Sequence, residues 1–117
     1  PDYKTCDIAD PEVFARAADN YGYPTQADHY LDGVRALTGA IDPAFVFIAQ
    51  EKTAPYLVSV FELDHVAMQI GAIRNRWARD IYAECTATGH WPAYVPDHEP
   101  HLLALPRWAE IREGVTR

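Results

Sequence analysis

The sequence predicts one mixed α/β unit in the order β-α-α-β-β-α plus a C-terminal tail helix. Three observations carry this reading. Apolar residues recur at helical spacing in two capped segments and one long one, and short alternating runs flank them. A hydrophobic content of 49% with 23% charged residues, over 117 residues, is the composition of a small folded domain. The chain also lacks repeats, low-complexity tracts and linkers, so residues 1–117 read as a single domain.

Residues 2–5, Asp2-Tyr3-Lys4-Thr5, are short and polar with one aromatic and form a first strand. Asp10-Pro11 supplies an N-cap and a first-turn proline. Val13, Phe14, Ala17, Ala18 and Tyr21 follow at helical spacing until Gly22. After Pro24 a second helix places Ala27, Tyr30, Leu31, Val34 and Leu37 on one apolar stripe and stops at Gly39. Residues 45–49 and 56–61 are rich in β-branched and aromatic side chains, and the polar segment between them joins them as an antiparallel hairpin. From Asp64 to Gly89, Val66, Ile70, Ile73, Trp77, Ile81 and Cys85 repeat every three or four residues, which predicts a helix of about six turns with a buried stripe. Trp91-Pro92, Val95-Pro96 and Glu99-Pro100 then forbid regular helix, and a short terminal helix starts at residues 105–108.

Charge and cysteine usage narrow the function. A formal charge of -7 opposes a broad phosphate-binding surface, since nucleic-acid affinity rests largely on Lys and Arg. It is compatible with a site that holds divalent metal, which must itself be acidic. Cys6 and Cys85 stand far apart with no His or Cys at metal-ligand spacing, so neither a disulfide framework nor a zinc knuckle is indicated and the reducing cytoplasm is the expected compartment. No apolar run is long enough to cross a bilayer, and no secretory leader is present, so no membrane partner is expected. The chain opens at Pro1 inside a strand, the layout of a piece of something longer.

The chemistry lies at that opening. Strand alternation sends Asp2 and Lys4 to one face and the Tyr3 side chain to the other, so a carboxylate and an ammonium gather on one side. Phosphodiester hydrolysis uses this pair: a hard oxygen ligand for Mg²⁺ or Mn²⁺, and a cation to orient water and offset phosphate charge. Asp-x-Lys alone carries little information. On the second helix Gln26 and Tyr30, four residues apart, share a face.

Asp-x-Lys-Thr, a helix, then Tyr-Gly-Tyr-x-x-Gln-x-x-x-Tyr resembles the PD-(D/E)XK superfamily of nucleases, close to its RecB-like and exonuclease VIII (RecE-like) branch. Residues 45–52 look like that family's strand after the motif helix, and His90-Trp91-Pro92 with residues 103–109 looks like its closing segment. The resemblance implies a partial restriction-endonuclease-like core, the C-terminal portion of one nuclease domain. It implies Asp2 as metal ligand, the Tyr3 carbonyl as an additional ligand, and Lys4 as the residue that positions water. Gln26 and Tyr30 would form the helix wall, with Tyr23 joining them one turn earlier. For Tyr23 and Tyr30, core packing with a satisfied hydroxyl is the competing reading. The implied activity is a Mg- or Mn-dependent DNA exonuclease acting on duplex ends, in phage-type or recombinational processing.

Family members carry further acids upstream, which this sequence lacks, and Asp2 cannot serve as both acids of the motif. One carboxylate does not assemble a two-metal site, so the chain alone is expected to be inactive even where its parent is active. The alternative is a catalytically incomplete remnant that serves as a structural or protein-binding module. An unpaired sheet edge also predicts self-association.

Other constellations have simpler readings. His98-Glu99-Pro100-His101 reads as a solvated loop, Pro100 breaking the helix that zinc ligands exploit. Arg74, Arg76 and Arg79 read as a solvated helix face, with phosphate contact the alternative. Glu51-Lys52 suits a cleft or a hairpin turn equally. Trp77 and Trp108 read as core or interface anchors, and Cys85 as a small core hydrophobe.

Overall fold

The computed structural model describes residues 1–95 and 100–115. It contains β1 (Asp2–Cys6), α1 (Pro11–Asn20), α2 (Tyr23–Thr38), β2 (Val46–Glu51), β3 (Val58–Glu62), α3 (His65–Thr88) and α4 (Arg107–Arg112). This is the element order expected from the sequence, a mixed α/β arrangement. The chain divides into two units, Pro1–Glu84 and Cys85–Arg117.

In the first unit the sheet order is β1-β2-β3. β1 runs parallel to β2, and β2 and β3 form the expected antiparallel hairpin. A parallel pair needs a crossover, and α1 and α2 supply it. Asp10 caps α1, its Oδ1 accepting from the amides of Glu12 and Val13 at 2.9 and 3.2 Å. Gly22 takes a left-handed φ of 68°, which lets the chain turn after α1 and begin α2 at once. Gly39 closes α2 in the same conformation.

The helix-covered face of the sheet forms the core. Phe47 is fully buried, with Phe14, Ala27 and Ala49 beside it. Phe14 stacks on Phe61 at 4.5 Å, and Tyr23 on Phe47 at 5.3 Å, so aromatic contacts from α1, α2, β2 and β3 meet at one point. The register places Asp2 opposite Phe47 and Lys4 opposite Ala49, so both side chains lie on this covered face.

Two expectations about stripes change. On α2 only Ala27 and Leu31 of the five apolar residues are buried. Tyr30, Val34 and Leu37 remain exposed, and the buried side of the helix is instead the one bearing Pro24, Ala27, Asp28 and Leu31. On α3 the stripe Val66, Ile70, Ile73, Trp77 and Ile81 is exposed, not buried. The packed side is instead the one bearing Gly71 and Asn75, both buried, with Met68 partly so. Gly71 sits against the Pro24 carbonyl, and Asn75 donates to the Thr25 carbonyl at 2.9 Å and to Asp28 Oδ2 at 2.7 Å. Polar pairing and a missing side chain, not the apolar stripe, fix this helix.

In the second unit Cys85 and Ala109 are buried, Cys85 behaving as the small hydrophobe expected. Gly89 accommodates the end of α3 at a φ of 71°, its amide donating to the Cys85 carbonyl at 2.9 Å. Trp108 is exposed, with the Arg112 guanidinium 5.6 Å from its ring. Among the described residues no helix is long and apolar enough to cross a membrane.

Candidate active site

β1 delivers Asp2 and Lys4 to the covered face, and the first turns of α2 bring Tyr23 and Gln26 over them. Lys4 Nζ donates to Gln26 Oε1 at 3.1 Å, lies 2.9 Å from Asp2 Oδ2, and stands 4.5 Å above the Tyr23 ring. The Asp2 and Lys4 side chains are each 22% exposed, so their attraction is less screened than at an open surface. Asp2 Oδ2 is closed off from solvent. Its contact with the ammonium is an ion pair by distance, but it has no aligned hydrogen-bond donor. The result is a shielded carboxylate oxygen beside a held cation.

The Tyr3 side chain goes to the opposite face, where its hydroxyl donates to Gln50 Oε1. Tyr30 follows Gln26 by one turn. Its ring lies 6.0 Å from Phe45 and lines a cavity of about 740 Å³ shared with Pro1, Leu31, Leu37 and Arg79. Tyr23 is half-buried on the aromatic core and also under Lys4, so the packing and site readings of this residue coincide.

Glu51 and Lys52 are both engaged in anchoring the chain around the end of β1. Glu51 Oε1 accepts from the Ala9 amide at 3.0 Å, and Lys52 Nζ pairs with Asp7 at 2.7 Å. The hydrogen bond and charge of Asp7 raise the Lys52 pKa above its ordinary 10.5. The Cys6 thiol is raised above 9.0, chiefly by desolvation and then by the negative charges of Glu51 and Asp7, with Lys52 acting the other way. Arg74 pairs with Asp19 at 2.8 Å, tying α3 to α1. His98 and Glu99 of the proline-rich segment lie outside the described residues.

The sequence reading missed Asp28 and Asn75, both buried and bonded to each other between α2 and α3. The available signal was Asn75 standing four residues after Gly71, away from the apolar stripe. Their contact bears on the site because Asp28 follows Gln26 by two residues on the helix that positions it.

For a divalent cation, Asp2 offers one shielded hard oxygen. Among the described residues, however, no three His, Cys, Asp or Glu side chains converge to hold a metal. Mg²⁺ and Mn²⁺ require more oxygen ligands than this, and Lys4 already faces the one available. The residues present do not fit a complete metal site.

Searching the curated proteins found no match to the chain. A family model matches residues 1–99, and the mixed α/β fold is consistent with it: the chain belongs to the family described as a PDDEXK-like domain of unknown function (DUF3799).

Proposed function

We propose that this chain is the Lys-bearing part of a DNA exonuclease domain of the RecB-like and RecE-like branch, hydrolysing phosphodiester bonds at duplex ends in the cytoplasm. The supporting observation is the convergence of Asp2, Lys4 and Gln26, from a strand and a helix 22 positions apart, on one shielded pocket. In this reading Lys4 orients the attacking water and offsets charge on the phosphate. Gln26 and the Tyr23 ring hold the ammonium in place, while Asp2 contributes a carboxylate. The domain would depend on Mg²⁺ or Mn²⁺, which supplies Lewis-acid polarisation of the phosphate when bound. In this reading the further acids come from outside residues 1–117, and the chain is the C-terminal portion of the domain; the lone carboxylate among the described residues supports it.

The test uses the intact parent protein on linear duplex DNA with Mn²⁺. Asp2→Ala and Lys4→Ala should each abolish digestion while the protein still unfolds cooperatively, the lysine variant at a lower midpoint because it loses its contacts with Gln26, Asp2 and Tyr23; undiminished digestion would assign the chemistry elsewhere. The lone carboxylate favours a second reading, an incomplete module that binds other proteins. Calorimetric titration of the parent with Mn²⁺ separates the two, since only the nuclease reading expects saturable binding lost in Asp2→Ala.

A further inference from the structure

We propose that the outer face of α3 is a self-complementary docking surface on which a second copy of this chain packs antiparallel. Val66, Ile70, Ile73 and Trp77 are spaced 4, 3 and 4 residues apart and are 48%, 40%, 57% and 68% exposed. At about 100° per residue they point roughly 160° away from the side that carries Met68, Gly71 and Asn75. The inner side meets α2 at Gly71 and Asn75, and the outer stripe takes no part in that contact.

The spacing indicates the shape of the partner. A 4-3-4 repeat of apolar residues is the seam of a helix that lies along another helix. With the adjacent Ile81, 39% exposed, the stripe reads almost the same from either end. Val66 and Ile81 form its ends, Ile70 and Trp77 lie inside them, and Ile73 is central. A surface with this reversal symmetry is complementary to itself under a two-fold axis, with Ile70 of one copy against Trp77 of the other.

Area and charge agree with that arrangement. These side chains leave on the order of 500 Å² of apolar surface, as large as the biggest patches found on soluble monomers. Two copies would remove about 1,000 Å² from water, the lower edge of specific interfaces. Arg74, beside the axis, would meet its own copy, but its charge is offset by Asp19 at 2.8 Å. Pairing therefore does not set two uncompensated cations against each other.

Sedimentation equilibrium of the full chain, from roughly 1 to 500 µM, should show a monomer–dimer equilibrium of the modest strength such an area gives. Trp77→Lys and Ile73→Lys, both at exposed positions and both checked for native circular dichroism, should each weaken it about 30-fold or more. Val60→Lys, on the open face of β3, should leave it unchanged. Mixing Ile70→Lys with Trp77→Glu should restore a mixed dimer that neither variant forms alone, because antiparallel pairing places the two charges together. A monomer at every concentration, the stripe then serving a different protein or another part of the chain, would overturn the proposal. So would a dimer indifferent to both lysine variants, or mixing without recovery.

Discussion

The ammonium of Lys4 and the amide oxygen of Gln26 meet at 3.1 Å because the parallel pairing of β1 with β2 and the left-handed turn at Gly22 bring the first turns of α2 over the strand. A charge-assisted hydrogen bond in a half-buried pocket contributes about 1.5 kcal/mol. Gln26→Ala should cost that much in urea-induced unfolding. On the nuclease reading proposed above, the same variant should also lower the rate on duplex DNA, by about 10-fold if the contact holds Lys4 in place for the transition state. An unaltered unfolding midpoint would show that this contact contributes nothing.

Tyr23 serves both core and pocket, and two substitutions separate its parts. Tyr23→Phe keeps the ring stacked on Phe47 and beneath Lys4, and stability should change by about 0.5 kcal/mol or less. Tyr23→Leu removes the ring face and should cost about 2 kcal/mol, combining lost stacking, lost cation–π attraction and altered packing. Equal losses for both would place the importance of Tyr23 in its hydroxyl.

The sequence showed the order of elements plainly, because caps such as Asp10 and Gly39 and alternation in residues 45–49 and 56–61 are local signals. The meeting of Asp2, Lys4 and Gln26 was legible through strand alternation and through the motif resemblance together. The orientation of α3 was not. Its apolar stripe is a stronger periodic signal than Met68, Gly71 and Asn75, yet Gly71 and Asn75 meet α2 and Met68 packs on the core. Periodicity identifies which residues share a face, but a close approach at a glycine and a buried amide decided which face packed inward. Asp28 was equally hidden, since a lone acid on a helix ordinarily faces solvent.

Cys6 should react slowly with iodoacetamide near neutral pH, because only the thiolate attacks and burial and nearby acids raise its pKa. Glu51→Gln should accelerate alkylation by removing a raising charge while preserving an acceptor for the Ala9 amide. Lys52→Met should slow it further. The linked stability is present below the ordinary thiol pKa of 9.0 and is lost as pH rises through the raised value. Rates for the two variants shifting in the same direction would contradict this account.

Gly71→Ala tests the approach of α3 to α2. Alanine is the better helix former by about 1 kcal/mol, so propensity alone predicts stabilisation. The added Cβ would overlap the Pro24 carbonyl oxygen and carbon, which are backbone atoms and cannot rotate aside. The helices must separate, and the variant should lose about 2 kcal/mol net in denaturant unfolding. A gain in stability would mean that the two helices adjust freely at this point.

Asn75→Asp converts the buried bond to Asp28 into a pair of carboxyl groups where a 2.7 Å contact now lies. Both cannot ionise at that distance, so the folded variant would retain a shared proton at pH values where the unfolded chain has released it. A folded pKa raised above the unfolded one gives stability that is present at low pH and lost as pH rises through the folded value. The variant should therefore unfold more easily at pH 7 than at pH 4, by about 3 kcal/mol relative to the parent chain's own change over that interval. Asn75→Leu, which removes the donor without adding a charge, should destabilise with a weaker dependence on pH. Denaturation curves for the three proteins at both pH values provide the check, and a pH dependence of Asn75→Asp no steeper than that of Asn75→Leu would show that Asp28 finds another donor when Asn75 is gone.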